Sequence, residues 1–213
     1  MTTNIDAGAT ADGKAVHSAC AAQALRRLIL DTALDMGDRR GWDAVHLHEV
    51  AHAVGVSLAD VRQLYEHKDA LAEAWFDRAD AAMLAMAETP GWLESSPRDR
   101  LHRAICAWLD TLAPHRRLVP AMLRYKFQPE HVHLQALGVM RISRTVQWFR
   151  DVAHLPEIGW RREAGEAALT SIYLCTFARW LTDGSAGSAA TRRLLDRLLA
   201  LAEQAALQLR SRR

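Results

Sequence analysis

Residues 47–65 read LHEVAHAVGVSLADVRQLY, and this stretch decides the fold. Its apolar residues recur at helical spacing on either side of Gly55, a residue type that readily adopts the left-handed conformation of a tight turn. Ser57 is a favourable N-cap residue, and Asp60, three positions later, completes a capping-box pattern. The stretch therefore predicts a turn between two short helices, the second of them over about 58–65.

The second of these helices is predicted to have an inward face and an outward face. Val61, Leu64 and Tyr65 are three and four positions apart, so they share the face that packs inward. Arginine, glutamine and small apolar side chains on the other face suit guanine edges or phosphates, adenine edges and thymine methyl groups, respectively. The residues expected on that outward face are Leu58, Ala59, Arg62, Gln63 and Glu66.

The rest of the chain also has helical periodicity, and no alternating run predicts a strand. The predicted fold is therefore all-α, with about nine helices in a small N-terminal group and a larger C-terminal bundle. We expect a flexible polar tail over residues 1–18, a helix-turn-helix head over 19–68, and a ligand-binding and dimerisation bundle over 69–213. The other helices are expected over about 18–36, 48–54, 68–88, 97–113, 115–125, 130–153, 160–182 and 189–210.

The composition is typical of a globular cytoplasmic protein. Apolar residues make up 50% of the chain and charged residues 24%, and no apolar run is long enough to predict a membrane span. The N-terminus lacks the basic start and apolar core of a secretory signal. Cys20, Cys106 and Cys175 are odd in number and far apart, so we expect no disulfide framework, no thiolate metal site and no cofactor.

The net charge of the predicted head does not favour nucleic-acid binding. The whole chain has a net charge of +2, but residues 21–68 contain six Lys or Arg and seven Asp or Glu, which leaves this segment at −1. A dedicated nucleic-acid domain usually has a clear basic excess. Whether the head binds DNA is therefore an open question at the level of sequence.

The block from Arg26 to Leu71 resembles the N-terminal module of TetR-type transcriptional regulators. The shared features are ILDTAL at 29–34, Gly41, the Val50-Ala51 pair, GVS at 55–57, and Lys68 with Leu71. The resemblance implies a cytoplasmic homodimer that binds double-stranded operator DNA through the helix after GVS. It also implies a C-terminal bundle that binds a small effector and dimerises through its last two helices, in a ligand-responsive regulator expected to be a repressor.

Three positions of the head depart from the pattern of that family. Asp60 stands where a small or hydroxyl residue is usual, Arg62 where an aromatic residue contacts a phosphate, and His46 where a threonine precedes the first short helix. The capping role of Asp60 turns it towards the helix start, and arginine binds phosphates or guanine well. The predicted DNA contacts are His46, His48, Ser57, Leu58, Ala59, Arg62, Gln63 and Lys68.

The C-terminal half is also similar to a second family, the lipid-binding accessory proteins of coenzyme Q biosynthesis. The matching segments are LDTLAPHRRLV at 109–119, Trp180 with DGS at 183–185, and Thr191 with LDR at 195–197. This resemblance implies a TetR-like fold with a degenerate DNA-binding head and an isoprenoid lipid held between the C-terminal helices. A regulator and a lipid-presenting protein are therefore two alternatives with one fold.

Large aromatic residues are concentrated in the C-terminal group. They are consistent with an ordinary core, but they also fit an elongated apolar pocket with methionines as adaptable walls. Such a pocket would take a hydrophobic small-molecule effector or a lipid. The predicted pocket residues are Trp108, Met122, Tyr125, Met140, Trp148, Tyr173, Phe177 and Trp180.

The last two predicted helices are unusually apolar. The final helix repeats leucine and alanine around a face that is wider than one side of a bundle requires, from Leu194 to Leu209. The preceding helix has an apolar stripe from Ile172 to Leu181. Together they predict either an intrachain core or, as we favour, a four-helix homodimer interface.

Residues 48–52 spell HEVAH, which matches the H-E-x-x-H motif of zinc proteases. In that motif two histidines on one helical face bind zinc and the glutamate activates water. Here Val50 and Ala51 are needed on the inward face, and no third ligand follows at a fixed helical offset. The chain is therefore predicted not to be an enzyme, with no catalytic or metal-binding residues.

Overall fold

The computed structural model describes residues 6–126, 132–155 and 160–211, with side chains for 16–124, 140–155 and 163–208. Within these ranges the chain forms α-helices and short 3₁₀ turns and has no strand, which confirms the predicted all-α class. No helix in the same ranges is long and apolar enough to cross a membrane. The α-helices are α1 (Asp6–Arg40), α2 (Leu47–Val54), α3 (Leu58–Leu64), α4 (Lys68–Ala85), α5 (Pro97–Leu112), α6 (Val119–Lys126), α7 (Val132–Val152), α8 (Trp160–Leu181) and α9 (Ala189–Ser211).

Helix α1 is longer than the sequence pattern predicts. It begins at Asp6 instead of about position 18, so residues 6–18 are helical where a flexible tail was expected. Alanine recurs in this segment and has the highest helix propensity, which offsets the cost of its glycines. The helix ends at Arg40 because Gly41 takes a positive φ of 86°.

The segment after α5 also differs from its predicted single helix over 115–125. A 3₁₀ helix covers Ala113–Leu118, and α6 follows from Val119. Pro120 has no amide hydrogen, so it is tolerated in the first turn of α6 but cannot extend a preceding helix. The start of α5 at Pro97 is as predicted, with Ser96 as N-cap.

The chain divides into two compact units, residues 1–74 and 75–213. The division lies within α4 and not after position 68, because Leu71 and Ala72 in the first turns of that helix are buried. The first unit has a small core to which α1, α2 and α3 contribute. Its fully buried side chains include Ile29, Leu34, Val50, Val61 and Leu71.

The second unit is built around a cluster of aromatic rings. Trp108 on α5 stacks on Phe76 at a centroid distance of 6.1 Å and meets Tyr173 edge-on at 5.4 Å. Phe149 on α7 and Trp180 on α8 are completely buried near the same rings. Large aromatic side chains bury much apolar area and dominate the energetics of such cores.

A buried carboxylate, Asp183, joins α8 to α9. Its Oδ1 accepts hydrogen bonds from the Ser185 amide (2.9 Å) and hydroxyl (2.6 Å). Its Oδ2 accepts from the Thr191 amide (2.8 Å) and hydroxyl (2.6 Å). Hydrogen bonds from Ser185 and then Thr191 hold the pKa of Asp183 well below its usual range. Asp183, Ser185 and Thr191 thus form a clasp between α8 and α9. The DGS segment and Thr191, which are part of the second family resemblance, have this structural role.

Candidate nucleic-acid interface and ligand cavity

The turn between α2 and α3 has the geometry that its sequence predicts. Gly55 follows α2 in the left-handed region, with φ 78° and ψ 30°. The Val56 amide donates to the Ala51 carbonyl oxygen (3.0 Å), and the Gly55 amide donates to that of His52 (3.2 Å). These two bonds form a Schellman motif, which satisfies carbonyl groups at the end of α2.

The predicted capping box at the start of α3 is confirmed. The Ser57 hydroxyl accepts from the Asp60 amide (3.1 Å), and Asp60 Oδ2 accepts from the Ser57 amide (3.0 Å) and hydroxyl (2.6 Å). The Ser57 hydrogen bonds lower the pKa of Asp60. Within the box the Ser57 hydroxyl both donates and accepts a hydrogen bond and so positions α3, while its contact with DNA stays a prediction.

Helix α3 presents the two faces that its periodicity predicts. Val61 is completely buried and Tyr65 nearly so, and the Tyr65 hydroxyl donates to the Arg26 carbonyl oxygen (2.9 Å). Leu64 is half-buried. The opposite face is open to solvent, and the side chains exposed on it or just beyond it are Leu58, Ala59, Arg62, Gln63 and Glu66.

Lys68, a predicted DNA contact, binds backbone groups of the head. Its ammonium group donates to the carbonyl oxygens of Trp42 (2.5 Å) and Asp43 (3.2 Å) and lies 5.3 Å from the centroid of the Trp42 ring. Partial burial lowers its pKa. Lys68 therefore fixes the start of α4 to the segment before α2. Its contact with DNA stays a prediction.

The edge before and along α2 has a different character. The exposed rings of His46 and His48 stack at a centroid distance of 5.7 Å with 19° between their planes. Glu49 Oε1 and Oε2 accept hydrogen bonds from Arg40 at 3.1 and 2.9 Å. The hydrogen bond from Arg40 is the main cause of the lowered pKa of Glu49. The glutamate of the HEVAH motif is thus held in an ion pair with Arg40.

The same motif lines a surface depression of about 600 Å³ with Arg39, Arg40, His48, Glu49 and His52. Among the side chains that the structure describes, no three His, Cys, Asp or Glu residues converge as metal ligands. Besides Met36 and Ala53, the residues that line the depression are polar or charged.

The second unit contains a cavity of about 370 Å³. Its walls are mainly apolar, formed by aromatic rings of α4, α5 and α8 and by aliphatic side chains of α6, α7 and α8. The volume falls in the range of about 300–1,000 Å³ that is usual for small-molecule pockets. The aromatic lining residues are Phe76, Trp108, Tyr173 and Phe177, and the polar ones besides Tyr173 are Arg141 and Thr145.

The predicted pocket residues are only partly brought together. Trp108, Tyr173 and Phe177 line the cavity, whereas Met122 and Trp180 are buried without being among its described lining residues. Met140 and Trp148 are 63% and 41% exposed, because α7 turns Phe149 and not this face towards the core. The side chain of Tyr125, at the end of α6, lies outside the described residues.

One end of the cavity has a polar cluster that the sequence did not reveal. Buried Asp80 on α4 accepts hydrogen bonds from Trp108 Nε1 (2.8 Å), Arg141 Nη2 (2.9 Å) and the Thr145 hydroxyl (3.3 Å). Arg141 Nη1 also binds Asp77 (2.6 Å). Burial raises the pKa of Asp80, although Arg141 opposes the rise. In the sequence, the only indication of this cluster is one acidic residue, Asp80, within the apolar pattern of α4.

Comparisons with known proteins place the chain in a family. No family model and no curated protein matches it. The TetR transcriptional regulator from Nitrosomonas europaea ATCC 19718 is 41% identical, with a TM-score of 0.76 over 85% of this chain and 99% of that one. A TetR regulator from Rhodococcus sp. RHA1 (20% identity, TM-score 0.58, 83% and 97% covered) shares the fold. A TetR/AcrR-family regulator from Thermobifida fusca YX-ER1 (18%, 0.51, 82% and 95%) shares it too.

The first of these matches extends over both units and carries the most weight, because its sequence identity is high and it covers nearly the whole of the other chain. It supports the resemblance of the head to TetR-type regulators. It lends no support to the resemblance of the C-terminal half to coenzyme Q accessory proteins. With this fold, head and degree of identity, the chain belongs to the TetR family of transcriptional regulators, which are ligand-responsive DNA-binding proteins and not enzymes.

Proposed function

We propose that the protein is a cytoplasmic repressor that binds operator DNA as a homodimer and releases it when a hydrophobic ligand occupies the cavity. The observation that carries the proposal is the outward face of α3, where Arg62 and Gln63 are exposed on a helix anchored by its capping box. A short helix fixed at its start and packed through Val61 can present these side chains to a major groove with little flexibility.

The contacts divide into those that would read bases and those that would bind the backbone. Arg62 and Gln63 have the hydrogen-bonding groups for guanine and adenine edges. Leu58, which is 50% exposed, and Ala59 suit thymine methyl groups. His46 and His48 would meet phosphates at the exposed edge of α2. This division supports sequence-specific binding by α3 and orientation by α2.

The net negative charge of the head disfavours DNA binding less than the count of its acidic residues indicates. The carboxylate of Asp60 accepts two hydrogen bonds within its own capping box, from the amide and the hydroxyl of Ser57, and lies at the positive end of α3. The carboxylate of Glu49 is paired with Arg40. Two of the acidic side chains of the head are thus stabilised locally, Asp60 by hydrogen bonds and Glu49 by an ion pair.

Exposed leucines on the last two helices support a homodimer. Leu201 and Leu207 on α9 are 62% and 59% exposed, and Leu174 on α8 is 40% exposed. Leu195 and Leu199 on α9 are buried within the chain, whereas Leu201 lies on a different side of the same helix and is exposed, so α9 has apolar surface beyond the intrachain core. Pairing of α8 and α9 with their copies in a four-helix arrangement would cover that face.

The cavity supports a hydrophobic effector. Its aromatic and aliphatic walls favour a ligand with a large apolar body. A ligand that binds better to a conformation with low DNA affinity shifts the population away from the DNA-bound state, and DNA disfavours ligand binding by the same factor.

The proposal is tested by titrating the wild-type protein with a labelled duplex from its own upstream region at two salt concentrations. We expect binding that weakens with salt, since each neutralised phosphate adds about −0.9 to the slope of log K against log salt concentration. Equal affinity for this duplex and for a scrambled duplex of the same composition would contradict an operator-specific role.

The lipid-presenting alternative is favoured by two observations, the acidic head and the mainly apolar cavity. The same preparation distinguishes it from the repressor. Protein that binds no duplex at low ionic strength and carries an isoprenoid lipid in organic extracts would replace the repressor proposal with the lipid carrier. DNA binding that is weakened by such a lipid would instead identify an effector class.

A further inference from the structure

Three exposed histidines follow one another along α2. His46 precedes the helix, His48 lies in its first turn and His52 lies about one turn further along. The rings of His46 and His48 stack at a centroid distance of 5.7 Å. His48 and His52 are four residues apart, a spacing that places them on one helical face, and both line the surface depression of the head. These three residues are called the histidine row below.

The fixed charges around the histidine row are mainly positive. Arg39 and Arg40 of α1 line the same depression, and its acidic lining residue, Glu49, is bound to Arg40 at 2.9 Å. The hydrogen bond from Arg40 is the main cause of the lowered pKa of Glu49, and the charge of a protonated His46 lowers it further. Asp43 lies three positions before His46, and none of the described residues of α3 lines the depression. Because Glu49 is compensated by Arg40, protonation of the row makes this surface strongly cationic.

Protonation of the row also reverses the net charge of the head. With neutral histidines, residues 21–68 have a net charge of −1, from six Lys or Arg and seven Asp or Glu, and three added protons change this value to +2. His67, the fourth histidine of the segment, is left out of this count. Its Nδ1 accepts a hydrogen bond from the Ala70 amide (3.2 Å), and a proton on that nitrogen would break the bond. Histidine side chains change charge between about pH 5 and 8, so the reversal falls in the physiological range.

Phosphate groups and protons favour each other at such a surface. A phosphate stabilises the protonated form of a histidine that it contacts, and this form offers the phosphate a charged hydrogen-bond donor. Protonation and DNA binding therefore strengthen each other by the same factor. A head that is slightly acidic at high pH can thus acquire the basic excess that nucleic-acid binding requires.

We infer that the histidine row binds backbone phosphates in its protonated form, so that the affinity of the head for operator DNA rises as the pH falls from about 8 to about 6. The inference rests on the DNA-binding part of the proposed function and adds its regulation by protons. It does not depend on the cavity or on a ligand.

Dissociation constants for the upstream duplex at about pH 6 and about pH 8, at equal ionic strength, test this inference. Fluorescence anisotropy is used for the wild type and for three variants: His46→Gln/His48→Gln/His52→Gln, His48→Arg/His52→Arg, and His154→Asn. The last is the matched control, because His154 is an exposed histidine of the second unit. Asparagine tolerates its positive φ of 51°.

We expect the wild type and His154→Asn to bind at least about tenfold more tightly at the lower pH than at the higher pH. Their salt slopes should also become steeper there, since each histidine that neutralises a phosphate adds about −0.9 to the slope. The glutamine variant should change its affinity less than about threefold between the two pH values. The arginine variant is charged at both, so at the higher pH it should bind within about threefold of the wild type at the lower pH.

Equal affinity of the wild type at the two pH values, or a pH dependence that persists in the glutamine variant, would overturn the inference and leave operator binding in place. An arginine variant that binds at the higher pH no better than the wild type would also overturn it, and this comparison decides the matter if the glutamine variant does not fold. Absence of binding to any duplex at the lower pH and low ionic strength would overturn the DNA-binding part of the proposed function as well.

Isothermal titration calorimetry provides an independent readout. Titrations of the protein with the duplex at pH 7, in two buffers with different enthalpies of ionisation, report the protons that are taken up on binding. We expect a net uptake of protons by the wild type and none by the glutamine variant. Zero uptake by the wild type would overturn the inference.

Discussion

At the scale of single residues, similar side chains in the head have different roles that depend on what they touch. Arg62 extends from the outward face of α3 into solvent, whereas the ammonium group of Lys68 is bound to two backbone carbonyl oxygens. Both were predicted from the sequence as DNA contacts. The position of Lys68 depends on Trp42, which is 26 residues away in sequence, and no local pattern could have shown it.

Lys68→Met is therefore expected to reduce stability more than it changes the electrostatics of DNA binding. Loss of the two hydrogen bonds should lower the free energy of unfolding by about 1–2 kcal/mol, measured by urea denaturation of the wild type and the variant. The salt slope of DNA binding should remain the same, because no phosphate contact is lost. A smaller slope with unchanged stability would instead identify Lys68 as a phosphate-binding residue.

The turn glycine gives a second prediction at this scale. Gly55 has a φ of 78°, and a Cβ atom added there would meet no atom within 4 Å. Gly55→Ala should therefore cost about 1–2 kcal/mol through the left-handed backbone alone and not through a clash. Gly184→Ala is the control, because that site is also open but has no positive φ. If both variants unfold at the same urea concentration, the conformation of the turn contributes nothing to stability.

At the scale of elements, the sequence was most informative where structure depends on neighbours in the chain. The capping box of Ser57 and Asp60, the start of α5 at Pro97 and the inward face of α3 are set by local backbone chemistry and helical spacing. Which face of α7 is buried depends on packing against other helices, so Met140 and Trp148 were placed in a pocket although they are exposed. The length of α1 was not predicted, because the polar composition of residues 6–18 indicated a tail, whereas the high helix propensity of their alanines favours a helix.

The clasp between α8 and α9 makes a prediction about pH. Because the folded-state pKa of Asp183 lies well below the unfolded value of about 3.9, its contribution to stability is present above that value and is lost as the pH falls towards the folded-state pKa. Asp183→Asn should lower the melting temperature at pH 7. The two oxygens of Asp183 accept hydrogen bonds from Ser185 and Thr191, and the NH₂ group of an asparagine cannot accept them. The difference in melting temperature between this variant and the wild type should become smaller below about pH 4.

The control for this prediction is Asp196→Asn on α9, one of the two helices that the clasp joins, whose carboxylate is 58% exposed and paired with Arg98. An exposed ion pair contributes little, so this variant should melt close to the wild type at every pH. Equal melting temperatures of Asp183→Asn and wild type at pH 7 would show that the clasp is not needed for the helix pair.

At the scale of the whole molecule, the sequence resemblance and the fold lead to one family, and the remaining questions concern assembly and specificity. The apolar width of α9 predicted a dimer interface, but the sequence could not separate the residues buried within the chain from those that stay exposed. The structure makes that separation, because Leu195 and Leu199 are buried and Leu201 and Leu207 are exposed.

Leu201→Glu is accordingly expected to convert the proposed dimer to a monomer, because it would place two charges in an apolar interface. The mass is measured by light scattering coupled to size-exclusion chromatography. Leu93→Glu, at another exposed leucine of the same unit, should remain dimeric. A dimeric Leu201→Glu variant would exclude this part of α9 from the interface.

The central claim is that the exposed arginine of α3 contacts operator DNA. Its most direct test is the affinity of Arg62→Ala for the upstream duplex by fluorescence anisotropy, compared with wild type and with Arg193→Ala, an exposed arginine of α9. We expect Arg62→Ala to weaken binding by about 1–3 kcal/mol with an unchanged melting temperature, and Arg193→Ala to bind like wild type. Wild-type affinity of a folded Arg62→Ala variant would contradict the claim.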